Sequence, residues 1–492
     1  MSISMTRRAA VAGLFSSLGG AAGAAPPKRS PRPLPRPAGA RAALAPRVED
    51  IVRRAKLGGK VSFAVADVKT GKLLEVANPV LPMPPASTAK AITALYALDT
   101  LGSDFRFATR LVATGPIKDG RVDGDLVLVG GGDPTLDTDR LGEMAKMLKE
   151  AGIREVTGRF RVQTNALPAI RQIDPEQPAH VGYNPSVGGL NLNYNRVHFS
   201  WERANKGYAV KMEARGDRFR PAVTVAHMRV ENRKAPIYTY ADSGVADEWT
   251  VARAALGKAG SRWLPVRRPG LYTAEVFLSL ARSYGIALKG DGTEARNVEG
   301  TTVVQMNSAP LRDVAADMLR FSTNLTAEVL GLTATRKLGA GARNLDASAK
   351  RMMDWLDKSA RTRKTALKDH SGLNDDSRLA ATDMVKALVQ LGLEGALAPI
   401  LKEVALKDAA GTGGVTVRAK TGTLHFVSGL AGYADLPSGR RLAFATFAAD
   451  VPRREKLTRA QRDNPEGAGP WNARAKRLQR ELIGRWATAY GE

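Results

Sequence analysis

The sequence predicts a mixed α/β fold: an antiparallel sheet with helices packed on it, interrupted by a large β-rich insertion. Three observations predict it. Alternating apolar segments at 61–68 and 72–76 flank the turn Lys69-Thr70-Gly71 and read as a hairpin. A second pair of such segments, 429–436 and 441–447, stands near the end of the chain. Between them, helical spacing recurs at 311–319, 325–337, 346–358 and 380–392, which supplies the helices that a joined sheet would need to cover it.

Taken in order, the elements sharpen this picture. Residues 47–57 carry helical spacing and precede the first hairpin. The stretch from Pro84 to Leu98, PPASTAKAITALYAL, then opens a helix, because its prolines stop the previous segment and Ser87 and Thr88 suit a first turn. Almost everything after them is apolar, so this helix should run through a core. From about 111 to 299 the texture changes to short β-like runs with Gly/Asp turns, broken by helical pieces near 139–151 and 272–285. A basic amphipathic helix at 473–489 closes the chain. The economical division is one α/β domain from 47–110 plus 300–492, with 111–299 inserted. At 492 residues, roughly three domains' worth of chain is available.

The ends have a different character. Thr6-Arg7-Arg8, an apolar run at 9–15 and the A-x-A pattern Ala22-Gly23-Ala24 have the layout of an export signal over 1–24, of the twin-arginine form. The competing reading is an ordinary basic N-terminus. Cleavage there leaves a Pro/Arg-rich tether at 25–46 and an exported, periplasmic protein. The net charge of +26 is concentrated partly at the ends: no acidic residue precedes Glu49, and 451–486 is strongly basic. No nucleic-acid motif accompanies this charge, so nucleic acid is not the expected partner. Peripheral association with an anionic envelope polymer or membrane face is the better match.

Several chemistries are excluded. No cysteine is present, which rules out thiol catalysis and thiolate metal sites. His180, His198, His227, His370 and His425 lack metal-ligand spacing, and no glycine-rich loop has the strand-to-helix context of a nucleotide site. Neither metal nor cofactor is expected. Asp369-His370-Ser371 has the residue types of a catalytic triad, but sequence neighbours cannot converge into one.

Three short elements remain. Ser87 and Lys90 are three apart on a helix, so hydroxyl and amine share a face. Burying the ammonium there is costly unless the site uses it. Ser322-Thr323-Asn324 precedes an apolar helix, where simple N-capping is the competing reading. Lys420-Thr421-Gly422-Thr423 leads into the last hairpin and should lie on a strand, where a glycine lets a ligand backbone approach closely. The same tripeptide at Lys69-Thr70-Gly71 is adequately explained as turn chemistry.

The order Ser-x-x-Lys, Ser-x-Asn, Lys-Thr-Gly resembles the signature of the penicillin-recognising serine acyl-transfer enzymes. The interval from Ser87 to Ser322 is too long for a β-lactamase. Residues 124–136, 189–197, Asp369-His370-Ser371-Gly372-Leu373 and Lys420-Thr421-Gly422-Thr423-Leu424 resemble motifs of class C low-molecular-mass penicillin-binding proteins. These are the S13 family of D-alanyl-D-alanine carboxypeptidases and endopeptidases, and the likeness spans roughly 47–450. It implies a transpeptidase-like domain carrying nested insertions, peptidoglycan stem peptides as substrate and β-lactams as covalent inhibitors. It also implies roles. Ser87 would be the nucleophile, with Lys90 kept neutral by burial and by Lys420, although which group acts as base stays open. Ser322 would relay a proton, and Asn324 would hold the substrate amide. Lys420, Thr421 and Thr423 would bind the terminal carboxylate, with Gly422 between them, and the N–H groups of Ser87 and Thr423 would form an oxyanion hole. Asp133 is a candidate contact to the peptide stem; its competing reading is a turn residue before Pro134. The family commonly has Ser-Arg after Ser-Gly-Leu, where Asn374-Asp375 stand here, and glycine where His370 stands. Two alternatives use the same sequence: a non-catalytic wall-binding or β-lactam-sensing module, and a β-lactamase-like esterase.

Overall fold

The two hairpins join. In the computed structural model, which describes residues 45–392, 395–406, 410–458 and 461–491, they form one five-stranded sheet. The proposed export signal lies outside the described residues. The strand order is Thr416–Leu424, Val427–Asp435, Arg441–Ala449, Lys60–Asp67, Leu73–Ala77. Every neighbouring pair is antiparallel, and the first strand runs beside the last from Lys60↔Ala449 to Asp67↔Leu442.

The two-residue period of the strands sorts their side chains into two cores. Phe63, Val65, Leu442 and Phe444 face the C-terminal helix Ala468–Tyr490 and pack with its Trp471 and Trp486. Ala64, Ala66, Ala443, Ala445 and Phe447 face the opposite layer of helices. The preponderance of alanine on that face lets helices come close to the sheet. At the centre of the layer is helix Ala89–Leu101, whose residues from Ala89 to Leu98 are all buried. Around it lie helices Leu311–Phe321, Asn324–Lys337, Leu345–Ala360 and Ala381–Leu391, all within a few residues of their predicted spans. The result is the predicted antiparallel sheet with helices packed on it, covered here on both faces.

We take residues 108–307 as the insertion. It departs along strand Ala108–Ala113 and returns along Thr301–Asn307, and these two strands are antiparallel partners. At their base Ser308 N donates to Phe107 O (2.8 Å) and Phe107 N to Ser308 Oγ (3.0 Å). Beyond this stem, two further three-stranded sheets, a short three-stranded ladder and helices Thr138–Glu150 and Pro269–Ser283 share a separate apolar core that includes Phe160, Phe199, Trp249 and Phe277.

Candidate active site

Ser87 sits in the 3₁₀ turn Ala86–Thr88 that feeds directly into helix Ala89–Leu101. Thr88 Oγ1 closes the turn onto Pro85 O at 2.7 Å. Ala86 has φ +47°, a conformation that a residue with a Cβ adopts at a cost, so Ser87 stands on a strained corner. Two glycines allow other elements to press on this corner. A Cβ on Gly372 would lie 1.9 Å from Ala86 O, and one on Gly422 would lie 2.7 Å from Pro85 O and 3.1 Å from Ser87 N. The close approach that Gly422 permits is therefore to the chain's own Ala86–Thr88 turn.

Lys90 is fully buried on the first turn of the helix. Its Nζ donates to Ser87 Oγ (2.8 Å), Asn324 Oδ1 (2.6 Å) and Ser371 O (2.8 Å). Burial first, and then the charge of Lys420, bring its pKa down to about 7, while Asp369 and Glu328 pull it back up. Those two carboxyls are also fully enclosed. Glu328 accepts from the N–H groups of His370 (2.9 Å) and Ser371 (3.0 Å), and Asp369 from those of Gly372 (2.7 Å) and Asn374 (2.8 Å). They fix the loop whose carbonyl, that of Ser371, holds the lysine.

Ser322 occupies the left-handed C-cap of helix Leu311–Phe321, with φ +59°. Lys420 Nζ donates to its hydroxyl at 3.0 Å and to Thr421 O at 2.7 Å. Only 2% of Lys420 is exposed, and burial, then Lys402, lower its pKa to about 8. Strand Thr416–Leu424 lies at the sheet's edge. Its outward backbone groups at Val417 and Ala419 pair with Val404 and Lys402, and Thr421 and Thr423 continue the same register towards the site. The cleft, about 450 Å³, is lined by Ser87, Ser322, Asn324 and Thr423, with Tyr183 entering from the insertion and Arg454 from the C-terminal side.

Ser87, Lys90, Ser322, Asn324 and Lys420 are thus brought together, with Gly422 and Thr423 beside them. Asn324 holds Lys90 with one amide atom, and its Nδ2 donates to Tyr183 O at 2.8 Å, so both ends are engaged within the protein. Thr421 is exposed and contributes its carbonyl to Lys420. Asp133 is 2% exposed and outside the residues that line the cleft. Its oxygens serve Thr135 N (2.8 Å), Thr135 Oγ1 (2.6 Å) and Arg140 Nη1 (3.0 Å), which is the turn geometry. His370 lies with its ring against Gly331 and its Nε2 2.8 Å from Ser348 Oγ, and burial drops its pKa to about 3. Asp375 pairs with Arg454 and Arg462 and so ties the cleft's far wall to the Asp369–Asp375 loop. Sequence reasoning missed Glu328 and the Tyr183 carbonyl. A lone acid within Leu325-Thr326-Ala327-Glu328-Val329-Leu330 was a usable signal for the first; a backbone carbonyl leaves none.

A hydroxyl on a strained corner, a buried low-pKa amine touching it and a second hydroxyl–ammonium pair opposite define a serine acyl-transfer enzyme. Comparison with known proteins makes this specific: the chain belongs to the D-Ala-D-Ala carboxypeptidase 3 (S13) family, whose model matches residues 44–465. It is 28% identical over 441 residues to a D-alanyl-D-alanine carboxypeptidase of Actinomadura sp. (strain R39), covering 81% of this chain and 79% of that one. The D-alanyl-D-alanine carboxypeptidase DacB of Haemophilus influenzae is 24% identical over 423 residues, covering 81% and 87%. In fold, the crystal structure of penicillin binding protein 4 (dacB) from Haemophilus influenzae superposes with a TM-score of 0.75 at 19% identity, over 90% of this chain and 99% of that one.

Proposed function

We propose that this protein is a serine-type D-alanyl-D-alanine carboxypeptidase and endopeptidase of peptidoglycan stem peptides. It would work through a Ser87 acyl-enzyme and be acylated at the same residue by β-lactams. The observation that carries the reading is the 2.8 Å hydrogen bond between Ser87 and a fully buried Lys90. The names of the relatives support it, as does the structure of the Haemophilus influenzae protein complexed with a β-lactam.

With a pKa of about 7, Lys90 is substantially neutral near neutral pH. The neutral amine takes the Ser87 proton as Oγ attacks the carbonyl between two D-alanines. The N–H groups of Ser87 and Thr423 receive the oxyanion. Ser322, held by Lys420, gives its proton to the leaving amine as the C–N bond breaks and takes in exchange the one Lys90 received from Ser87, so that Lys90 is again neutral. Lys420, still charged below its own pKa of about 8, draws the terminal carboxylate together with Thr421 and Thr423. Water then attacks the ester and Ser87 regains its proton. Asn324 contributes by orienting Lys90, since both its amide atoms are already engaged. Export through the signal at 1–24 would deliver the enzyme to its wall substrate in the periplasm, and the basic ends would hold it against the anionic envelope.

Intact mass after penicillin treatment tests this. A stoichiometric adduct on the wild type and none on Ser87→Ala is expected, together with D-alanine release from a pentapeptide. An adduct without D-alanine release would make the protein a β-lactam sensor, and rapid turnover of the adduct a β-lactamase-like esterase.

A further inference from the structure

The motif at 189–197 has no part in the chemistry above, yet the chain strains to build it. Asn193, Tyr194 and Asn195 are consecutively left-handed, with φ of 51°, 58° and 52°. Three such residues in a row, none of them glycine, persist only where the surroundings enforce them. A set of buried amides does so here. Asn193 accepts from Thr138 N (3.1 Å) and donates to Thr138 Oγ1 (2.8 Å), while Asn195 donates to Ser186 O (2.9 Å) and Asn191 Oδ1 (2.8 Å).

This turn presents Tyr194 and Arg196. The Arg196 guanidinium carbon lies 5.1 Å from the Tyr194 ring centre and 5.5 Å from that of Trp263. Its Nε is buried without a hydrogen-bond partner, and among the described residues no carboxylate pairs with it. A largely enclosed cation stacked on aromatic rings, with its donors unused, is costly in the free protein and suited to an anion. Arg196 and Tyr194 line a pocket of about 140 Å³ with Tyr183, Phe321, Ser322 and Asn324. Ser322, Asn324 and Tyr183 also line the catalytic cleft, so the two spaces meet at the Ser-x-Asn element.

We propose that this pocket is a second anion subsite, in which Arg196 receives a carboxylate of the peptide on the leaving side of the scissile bond. The inference rests on the acyl-transfer reading above, in which Ser322 hands its proton to the leaving amine. A leaving D-alanine has one carboxylate, which Lys420 and Thr423 take. A leaving stem from a cross-linked pair carries further carboxylates beyond the scissile amine, and only such a substrate can reach Arg196. The subsite therefore favours cleavage of cross-links over trimming of single stems.

The test uses the purified protein with a single pentapeptide stem, a cross-linked stem dimer, and the same dimer with the leaving stem's more distant carboxylates amidated. Arg196→Gln should lower kcat/KM on the free dimer about tenfold or more, the scale of a charged hydrogen bond. It should leave D-alanine release from the single stem and penicillin acylation unchanged, which also verifies folding. Arg196→Lys should recover part of the loss. Wild type should cleave the amidated dimer as slowly as the Gln variant cleaves the free one. Equal losses on both dimers, equal losses on the single stem and penicillin, no loss, or failure of the wild type to cleave the dimer would each overturn the subsite. A wild type that neither binds penicillin covalently nor releases D-alanine would instead overturn the acyl-transfer reading.

Discussion

Lys-Thr-Gly occurs twice, and its two copies live in opposite surroundings. At 69–71 it is the exposed turn of the first hairpin, where Asp67 Oδ1 accepts from Thr70 N (2.9 Å) and Thr70 Oγ1 (3.0 Å). Gly71 is needed there for its φ of +69°, and a Cβ would meet only Val389 Cγ1 at 3.8 Å. At 420–422 the lysine is enclosed beside Ser322, and the glycine is needed for its missing volume against Pro85 and Ser87. One glycine relieves a dihedral and the other a collision. One lysine meets water, while the other charges a cleft. The tripeptide means nothing until its neighbours are known.

The sharpest way to break this contrast is to remove each lysine. Lys420→Ala should slow both penicillin acylation and D-alanine release by about 10³-fold, the cost of losing a charge-stabilising group in a closed site. Lys69→Ala should leave both rates unchanged and shift stability by no more than about 0.5 kcal/mol. Stopped-flow acylation and urea unfolding check the pair.

Adding a methyl at each glycine comes next. Gly422→Ala pushes the strand off the turn that carries Ser87 and should cost about 10²-fold in acylation, the penalty of a misplacement near 1 Å. Gly71→Ala should instead cost about 1–2 kcal/mol of folding stability, from the left-handed backbone, with catalysis intact.

Titration separates the two buried lysines, Lys90 and Lys420, by sign. Acylation needs Lys90 neutral, so the rate should rise as pH passes about 7. It should fall again above about 8 as Lys420 loses the charge that draws the carboxylate. The pH dependence of kcat/KM should be a narrow bell. Glu328→Gln removes the lesser of the two acids that hold the Lys90 pKa up, and because burial and Asp369 push Glu328 itself up to about 8, the rising limb should move only slightly to lower pH. A limb that stays in place would exclude Glu328 as a carboxylate acting on Lys90.

The last prediction concerns the turn's own anchor. Asp67→Ala loses the Thr70 contacts and the 2.7 Å pair with Arg440, and should lower stability by about 1–2 kcal/mol without touching D-alanine release.

Much of this arrangement was legible before any coordinates. Hairpins and helices followed from periods of two and of 3.6, because each element buries one face, and the wholly apolar helix after Ser87 announced its central place. The residues that meet in the cleft were legible because their spacing is local, as with Ser87 and Lys90, or because their order along the chain resembles a known family. What stayed hidden depends on contacts between distant segments. Glu328 matters because Ser371 and His370 fold over it, and Asn324 is engaged because a carbonyl from the insertion, Tyr183, reaches it. Asp133 stood in a motif, but the local turn and Arg140 absorb its oxygens. The division of the insertion into separate sheets was likewise unreadable, since short strands do not specify their partners.

The insertion's outgoing and returning strands are each other's neighbours, so roughly two hundred residues join the rest of the chain through one doubled strand. Leu167, Ile173 and Val187 also pack into the core beneath the helices, and Arg336 grips Asn165 and Ala166. Cutting at Phe107 and Ser308 and splicing the ends with a short turn would leave the strands of the five-stranded sheet continuous but remove Leu167, Ile173 and Val187 from the core of its helical layer. The excised piece would take with it the grip on Asn324 and the Arg196 pocket. Such a miniature would keep Ser87 and Lys90 and lose part of the packing around them, so exchanging the insertion for another accessory means replacing those contacts as well as the doubled strand.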